Sequence, residues 1–331
     1  SWDIEADSSH GDFPLAKKDY KKLGVDIADF YLDYINKTKN PDKKTLYNIF
    51  KYILCIAFNI QNKYTLTNEL EQKIKSSINT IYLKTELSNN DEDLLKDKEF
   101  IKKIMSICDK NKNKSLSSSN TTQLDRLFLN NINEDDDEDD DKQKTDKKIS
   151  NRDIIINKIM KIFEEQLPEV QGDRIIQIGC VFHKFGKKEN KNYILTLGSC
   201  DKFDNDTTIY QYADKTDINT LCIDELDQEE SNLILKFQDI INLEQPDIII
   251  GYNTFGFDNK FLFNRVTELY LEDTFGYFGK MDKKTEIKVK MLSSSALGDN
   301  ILNIMPTIGR TEIDLLKIIQ RDHNLDSYSL N

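Results

Sequence analysis

The side chains best placed to do chemistry in this sequence of 331 residues begin with two carboxylates near its start. Asp3 and Glu5 alternate with apolar residues in a segment typical of a β-strand, so both should point to one face. Neighbouring carboxylates repel each other unless a cation lies between them, and Mg²⁺ prefers such oxygen ligands. An exposed strand end with ordinary surface acids is the alternative interpretation.

A third acidic residue, Asp258, lies where an apolar segment meets a helical pattern. Residues 247–252 form a short β-branched run typical of a buried strand, and apolar spacing predicts a helix over 258–271. Asn253 lies in the loop between these two elements, and Asp258 begins the second. Because open α/β sheets bind ligands at strand ends, Asn253 and Asp258 are candidates for a binding site. A helix N-cap role for Asp258 is the alternative.

The elements that must position these side chains alternate between strand and helix patterns, which indicates a layered α/β fold. Strands are predicted in the second half of the chain over 174–183, 192–198, 220–224, 247–252, 287–292 and 311–313. Helices are predicted there over 226–243, 258–271 and 314–320.

Residues 17–165 separate the first strand pattern from the one at 174–183. A resemblance to a known family, carried by motifs on both sides of this segment, implies that 17–165 is an insertion into a domain formed by 1–16 and 166–331. Within the insertion, apolar residues recur at helical spacing through 17–110, which predicts a helical part with its own core.

The rest of the insertion changes in composition. Residues 111–148 include eight consecutive acids over 134–141, which repel each other and cannot bury a core. This segment is predicted to be a disordered acidic linker. Ser150 and Asp153 are spaced as a capping box that opens a helix over 150–165.

The two acidic motifs resemble those of the exonuclease domain of family B DNA polymerases, and are most similar to the delta-type branch as found in large DNA viruses. Asp3-Ile-Glu5 resembles the first exonuclease motif, and Asn253-x3-Phe257-Asp258 resembles the second. Further blocks in the same order extend the resemblance: Ser8–Pro14, Ile175–Gly179, Pro246–Asn253, Leu292–Asn300, Gly309–Asp314 and Leu325–Asn331.

The resemblance implies a ribonuclease H-like (DEDD exonuclease) mixed sheet with flanking helices, interrupted by the helical insertion. It implies that Asp3, Glu5 and Asp258 are catalytic and bind two Mg²⁺ or Mn²⁺ ions. It also implies that Asn253 and Phe257 contact the single-stranded 3′ end of a DNA primer.

The same resemblance implies that this chain is part of a DNA-directed DNA polymerase with 3′→5′ proofreading. Its expected partners are DNA and the remaining polymerase domains of the parent chain, with a sliding clamp as a further candidate. The family's fourth carboxylate lies in a Tyr-x3-Asp motif that is absent from the expected place. Asp314 corresponds instead to a structural residue that opens a helix.

The net charge, the apolar runs and the cysteines exclude some classes of function. The net charge of −12 argues against a nonspecific nucleic-acid clamp, which is usually basic. No apolar run approaches the ~18 residues that span a membrane, and no secretory signal is visible. The five cysteines form no Cys-x-x-Cys pair and indicate reduced thiols in an intracellular protein. The resemblance to viral polymerases implies the host cytoplasm or nucleus as its location.

Two other functions remain open from the sequence. A free-standing DEDD-type 3′→5′ exonuclease would carry the same carboxylates. A non-catalytic replication interaction module could be built on 17–165, whose helical part carries an excess of basic residues.

Overall fold

The computed structural model describes the chain in nine ranges, which are 1–8, 13–38, 41–61, 66–111, 150–201, 206–213, 223–294, 298–323 and 325–330. Unit 1 contains Ser1–Lys18 and Gly172–Asn331, and unit 2 contains Asp19–Gln171. These borders lie two and six residues beyond the predicted ones. The predicted acidic linker lies outside the described residues, except that Asn111 ends a helix.

The described elements alternate strands and helices. The strands are β1 (Trp2–Ala6), β2 (Ile175–His183), β3 (Asn190–Leu197), β4 (Thr207–Tyr212), β5 (Ile248–Gly251), β6 (Lys288–Ser294), β7 (Gly298–Ile304) and β8 (Thr311–Asp314). The helices are α1 (Lys21–Lys37), α2 (Lys43–Ala57), α3 (Asn68–Ser77), α4 (Asn89–Lys96), α5 (Lys98–Asn111), α6 (Asn151–Gln166), α7 (Ile223–Glu244), α8 (Asp258–Glu268) and α9 (Leu315–Asp322).

Unit 1 is built on a four-stranded mixed sheet in the order β1-β2-β3-β4. The pairs β1/β2 and β2/β3 are antiparallel, and β3/β4 is parallel. Strand β5 pairs in parallel with β8, and β6 pairs antiparallel with β7. The predicted mixed α/β architecture is therefore confirmed.

Helix α7 supplies much of the core of unit 1. Its buried stripe includes Leu233, Phe237 and Ile240 and belongs to the same cluster as the buried residues of β1, β2 and β3. The Trp2 and Phe237 rings lie 5.1 Å apart between centroids. Burial of these side chains fixes the face of β1 that points away from solvent.

Three strand assignments differ from the structure, and one of them is β7, which was not predicted. The strand expected over 220–224 is wrong at Ile223 and Asp224, which open α7, while 220–222 lie outside the described residues. Acidic residues in the first turn favour a helix there, because they complement the positive end of the helix dipole. Strand β4 was not predicted, because its residues alternate polar and half-buried side chains without a strong apolar pattern.

Unit 2 is helical and has its own hydrophobic core. Tyr20, Phe58 and Phe163 pack together, with the Tyr20 and Phe163 rings 5.4 Å apart, and the Tyr20 hydroxyl donates to the carbonyl of Pro168 at 2.6 Å. The predicted Ser150 capping box opens α6. None of the helices in the described ranges has the length and apolar character needed to cross a membrane.

Candidate functional site

Strand β1 presents its two carboxylates on one face. Trp2 and Ile4 are buried, whereas Asp3 and Glu5 are exposed, as the alternation of a half-buried strand requires. Asp3 lies opposite Gly179 of β2 in the antiparallel register. The apolar side chains therefore anchor β1 in the core, while the carboxylates of Asp3 and Glu5 lie on the exposed face.

The loop between β5 and α8 is a tight turn around Asn253. Its φ of 61° is left-handed, a conformation that Asn adopts more readily than most residues. The Asn253 carbonyl accepts hydrogen bonds from the N–H groups of Gly256 and Phe257, both at 3.0 Å. A Cβ at position 256 would lie 2.4 Å from Asn253 Oδ1, so the Asn253 side chain folds back over a glycine.

Asp314 holds this loop in place. Its Oδ1 accepts from the N–H of Asn253 at 2.9 Å and from that of Leu316 at 3.0 Å. Its Oδ2 accepts from the N–H of Phe255 at 3.0 Å. The Asp314 carboxylate thus caps α9 and fixes the β5–α8 loop. Backbone N–H groups therefore occupy the acceptor positions of this carboxylate.

Asp258 turns toward β1 and does not cap its own helix. It is the first residue of α8 and only 2% exposed, while Phe257 occupies the N-cap position without a side-chain hydrogen bond. Asp258 Oδ1 accepts from the N–H of Ile4 at 3.3 Å, and its carboxyl group lies close enough to that of Asp3 for the two to interact. Two of the predicted ligands, far apart in sequence, are therefore in contact.

The proximity of the two carboxyl groups changes the acidity of Asp258. Burial raises its pKa most, the negative charge of Asp3 raises it further, and together they bring it to about 7. The N–H of Ile4 acts in the opposite direction. A pair of this kind favours either a shared proton or a bound cation.

The donor set suits a hard divalent cation. Within the described residues, no three His, Cys, Asp or Glu side chains are gathered closely enough to hold a metal ion. Asp3 and Asp258 supply carboxylate oxygens in contact, and Glu5 is exposed on the same face of β1 as Asp3. These are the oxygen ligands that Mg²⁺ and Mn²⁺ take, and a cation there would relieve the repulsion of the pair.

An aromatic group borders the carboxylates. The Phe257 ring lies 5.2 Å from that of Phe261, and also 5.2 Å edge-to-face from that of Phe13. Phe13 is 66% exposed and was missed in the sequence. An aromatic residue next to a proline shortly after the first acidic motif was the available signal.

A buried polar group behind the site was also missed. Asn259 is completely buried, and its Nδ2 donates to the carbonyl of Asn303 at 2.8 Å and to Glu312 Oε1 at 2.7 Å. Glu312 Oε2 accepts from the N–H of Met305 at 2.9 Å. Burial raises the pKa of Glu312 to about 7. These bonds tie the start of α8 to β7 and β8.

The comparisons with known proteins identify the family of the chain. The family model described as DNA polymerase family B, exonuclease domain, matches residues 101–331. The chain belongs to this family. It is 30% identical to a DNA polymerase of Pyramimonas orientalis virus over its whole length and 24% of the relative's. It is also 33% identical to the DNA polymerase delta catalytic subunit of Candida albicans, over 50% of this chain and 14% of the relative's.

Similarity to viral DNA polymerases extends to the start of the chain. A DNA polymerase of Phaeocystis pouchetii virus is 28% identical over the whole chain and 32% of its own length. The two viral relatives therefore align with the region of Asp3 and Glu5, which lies before the matched residues 101–331. The chain spans about a quarter to a third of the length of these viral relatives.

Proposed function

We propose that this chain is the 3′→5′ proofreading exonuclease part of a DNA-directed DNA polymerase of the viral and delta type. The observation that carries the proposal is the contact between the Asp3 and Asp258 carboxyl groups within a family B exonuclease domain. Such a domain would remove mispaired nucleotides from the 3′ end of a primer.

The residues of the site would have different roles in phosphodiester hydrolysis. Asp3, Glu5 and Asp258 would hold two Mg²⁺ or Mn²⁺ ions, which when bound supply an activated water and stabilise the leaving oxygen. The N–H of Ile4 fixes the orientation of the Asp258 carboxylate. The phosphodiester would thus need no side-chain nucleophile.

The rest of the loop would receive the nucleic acid. Asn253 and Phe257 are proposed to contact the single-stranded 3′ end. The exposed ring of Phe13, packed edge-to-face on Phe257, extends a surface on which an unpaired base can stack. Stacking tolerates any base, which suits an enzyme that must excise all four mispaired nucleotides.

The fold is proposed to be ribonuclease H-like, with unit 2 as an insertion. The chain leaves unit 1 after Lys18 and returns at Gly172. These two points are close, because Leu15 and Asp173 exchange hydrogen bonds: the N–H of Asp173 donates to the Leu15 carbonyl, and the N–H of Leu15 donates to Asp173 Oδ2, both at 2.8 Å.

The whole protein is proposed to act inside an infected host cell, in the cytoplasm or the nucleus. Polymerisation, the fourth family carboxylate and a sliding-clamp contact are assigned to the parent polymerase. The segment Leu325–Leu330 lies beside the site, because the Tyr252 hydroxyl donates to the carbonyl of Tyr328. A carboxylate that follows this segment in the parent would be delivered near the site.

Metal binding by this chain tests the site directly. Mn²⁺ titration followed by electron paramagnetic resonance should show binding that is lost in Asp3→Asn and in Asp258→Asn. Glu189→Gln, which removes one exposed carboxylate from the β2–β3 connection, is the matched control and should bind as the unaltered chain does. Equal Mn²⁺ binding by all variants would refute the assignment.

Excision tests the function in the parent polymerase. Asp3→Ala combined with Glu5→Ala should abolish 3′→5′ removal of a mispaired primer end while leaving primer extension largely intact, because polymerisation uses other carboxylates. Extension by the parent also separates this function from a free-standing exonuclease, which would not extend a primer. Retained excision in the double variant would contradict the proposal.

A further inference from the structure

The β2–β3 turn, residues 184–189, displays a fully exposed phenylalanine. Phe185 is 100% exposed, the largest fraction among the large apolar side chains that the structure describes. The N–H of Lys187 donates to the carbonyl of Lys184 at 2.9 Å, and Gly186 has a φ of 80°, as the third residue of a type II turn requires. The second position of such a turn accepts most residues, so turn formation does not require a ring at Phe185.

Three lysines accompany this ring in the β2–β3 turn. Lys184, Lys187 and Lys188 are all exposed, and none of them forms an ion pair with another residue that the structure describes. Together with Glu189 they give the turn three cations and one anion, a charge of +2 in a chain whose net charge is −12. The turn is therefore a local cationic surface with an aromatic ring at its tip.

The strands below the turn fix its place relative to the carboxylates. The antiparallel pairing of β2 with β3 is unbroken up to the turn. Asp3 lies opposite Gly179, and Phe185 follows Gly179 by six residues. At a rise of about 3.3 Å per residue, the Phe185 ring lies roughly 20 Å from Asp3 along β2. The turn is thus on the sheet that carries the proposed metal ligands, but outside their site.

We propose that the β2–β3 turn binds single-stranded DNA at a distance from the cleavage site, with a base stacked on Phe185 and phosphates paired with the three lysines. Cationic side chains without acidic partners complement a polyanion, and they contact phosphates without reading the base sequence. An exposed aromatic ring stacks on any unpaired base. Because the chain belongs to a DNA polymerase family, the polyanion is assigned as DNA. This contact needs none of the proposed metal ligands.

The aromatic ring is tested by binding in EDTA, where the metal site does not contribute. Phe185→Ala should weaken the binding of a fluorescein-labelled dT12 oligonucleotide roughly 5- to 100-fold in fluorescence anisotropy, the effect of losing one stacked base. Phe185→Trp should restore the affinity, because it keeps a stacking surface. Tyr270→Ala, which removes an exposed ring from the turn after α8, is the matched control and should bind as the unaltered chain does. Unchanged affinity in Phe185→Ala would overturn the inference.

The lysines are tested by the salt dependence of the same binding. Lys184→Ser, Lys187→Ser and Lys188→Ser combined should reduce the slope of log Kd against log salt concentration by about 2, because each phosphate contact with a single strand contributes about 0.7. The control variant removes the same charge from unit 2 and should keep the slope of the unaltered chain. Its changes are in three exposed lysines: Lys75→Ser, Lys98→Ser and Lys103→Ser. Equal slopes in the two triple variants would contradict the assignment of the lysines.

Two further measurements separate this inference from the proposed function. The turn variants should keep the Mn²⁺ binding of the unaltered chain and its unfolding midpoint in Trp2 fluorescence, because the replaced side chains are exposed. If they also bind dT12 normally while Asp3→Asn loses Mn²⁺, the inference fails and the proposed function stands. If the unaltered chain binds dT12 through the turn but binds no Mn²⁺, the proposed function fails and the inference stands.

The kind of partner is tested with a lipid surface. Vesicles of equal parts phosphatidylcholine and phosphatidylserine also present phosphates and apolar groups, and the unaltered chain should not sediment with them. Turn-dependent binding to these vesicles without binding to dT12 would make the partner a membrane, and the DNA assignment would be wrong. Absence of any dT12 binding by the unaltered chain would likewise refute it.

Discussion

Arg265 and Glu230 form a buried ion pair, and removing one partner should lower the free energy of unfolding. Arg265 Nε and Nη2 donate to the two oxygens of Glu230 at 2.9 and 2.5 Å, and Nη1 donates to the carbonyl of Ala16 at 3.3 Å. Glu230 is completely buried and also accepts from the N–H of Ile175 at 2.8 Å. The pair thus joins α7 and α8 to the start of β2 and to the chain after β1.

Arg265→Met should keep most of the apolar volume and remove the cation that is hydrogen-bonded to the buried Glu230 carboxylate, leaving only Arg174 Nε at 3.9 Å from it. Removing one partner of a buried pair costs about 3–5 kcal/mol. With a urea dependence of about 2 kcal/mol/M, the unfolding midpoint of unit 1 should fall by roughly 1.5–2.5 M. A loss of this size is a large fraction of the stability of a typical domain.

The sole tryptophan makes the measurement specific to unit 1. Trp2 is buried against Phe237 in that unit, so its fluorescence reports unfolding there and not in unit 2. Lys191→Met is the control, because Lys191 is exposed and its ion pair with Glu244 should contribute little.

A double-mutant cycle completes the experiment. Arg265→Met combined with Glu230→Gln should cost less than the sum of the single changes, because the double variant leaves no charge buried alone. A midpoint shift below about 0.5 M for Arg265→Met would refute the reasoning, since the carboxylate would then have found water or another partner.

Three other predictions concern stability. Burial raises the pKa of Glu312, so its proton is bound more tightly in the folded state, and the stability that this group contributes falls as pH rises from about 4.5 to 7. Between pH 5.5 and 8, Glu312→Gln should therefore lose about 2 kcal/mol less of its unfolding free energy than the unaltered chain, measured by urea titration. An equal loss in the two proteins would contradict this. Replacing 19–171 by a short Gly-Ser linker between Lys18 and Gly172 should keep the cooperative unfolding of unit 1 seen in Trp2 fluorescence, because the two ends to be joined are already close. Loss of that cooperative unfolding would mean that the fold of unit 1 requires unit 2. Ser150→Ala should lower the stability of unit 2 by about 1 kcal/mol in circular dichroism melts, with no effect on Trp2 fluorescence.

Local sequence patterns predicted many of the elements because they depend on side-chain periodicity. The alternation in Trp2–Ala6 and the apolar stripe of α7 both describe a face that must be buried, and the structure buries those faces. Strand β4 escaped prediction, because it carries no strong apolar pattern. Its form depends on the neighbours against which it packs.

The role of Asp258 shows where local reasoning stops. An acid at the start of a helix favours an N-cap, and only its motif with Asn253 and Phe257 argues for another role. In the structure its carboxylate instead meets β1, where burial and Asp3 raise its pKa. Only the pairing of distant strands brings these two carboxyl groups together.

The sequence by itself determined which residues could bind a cation, since the acids, their alternation in β1 and the motif after β5 are local features. Tertiary structure decided which of them meet. It turned Asp258 toward Asp3, bound Asp314 to the loop through two backbone N–H groups and to the start of α9 through a third, and set Gly179 beside Asp3. The physical reason is that strand register and burial are properties of the whole sheet, which no local window of sequence contains.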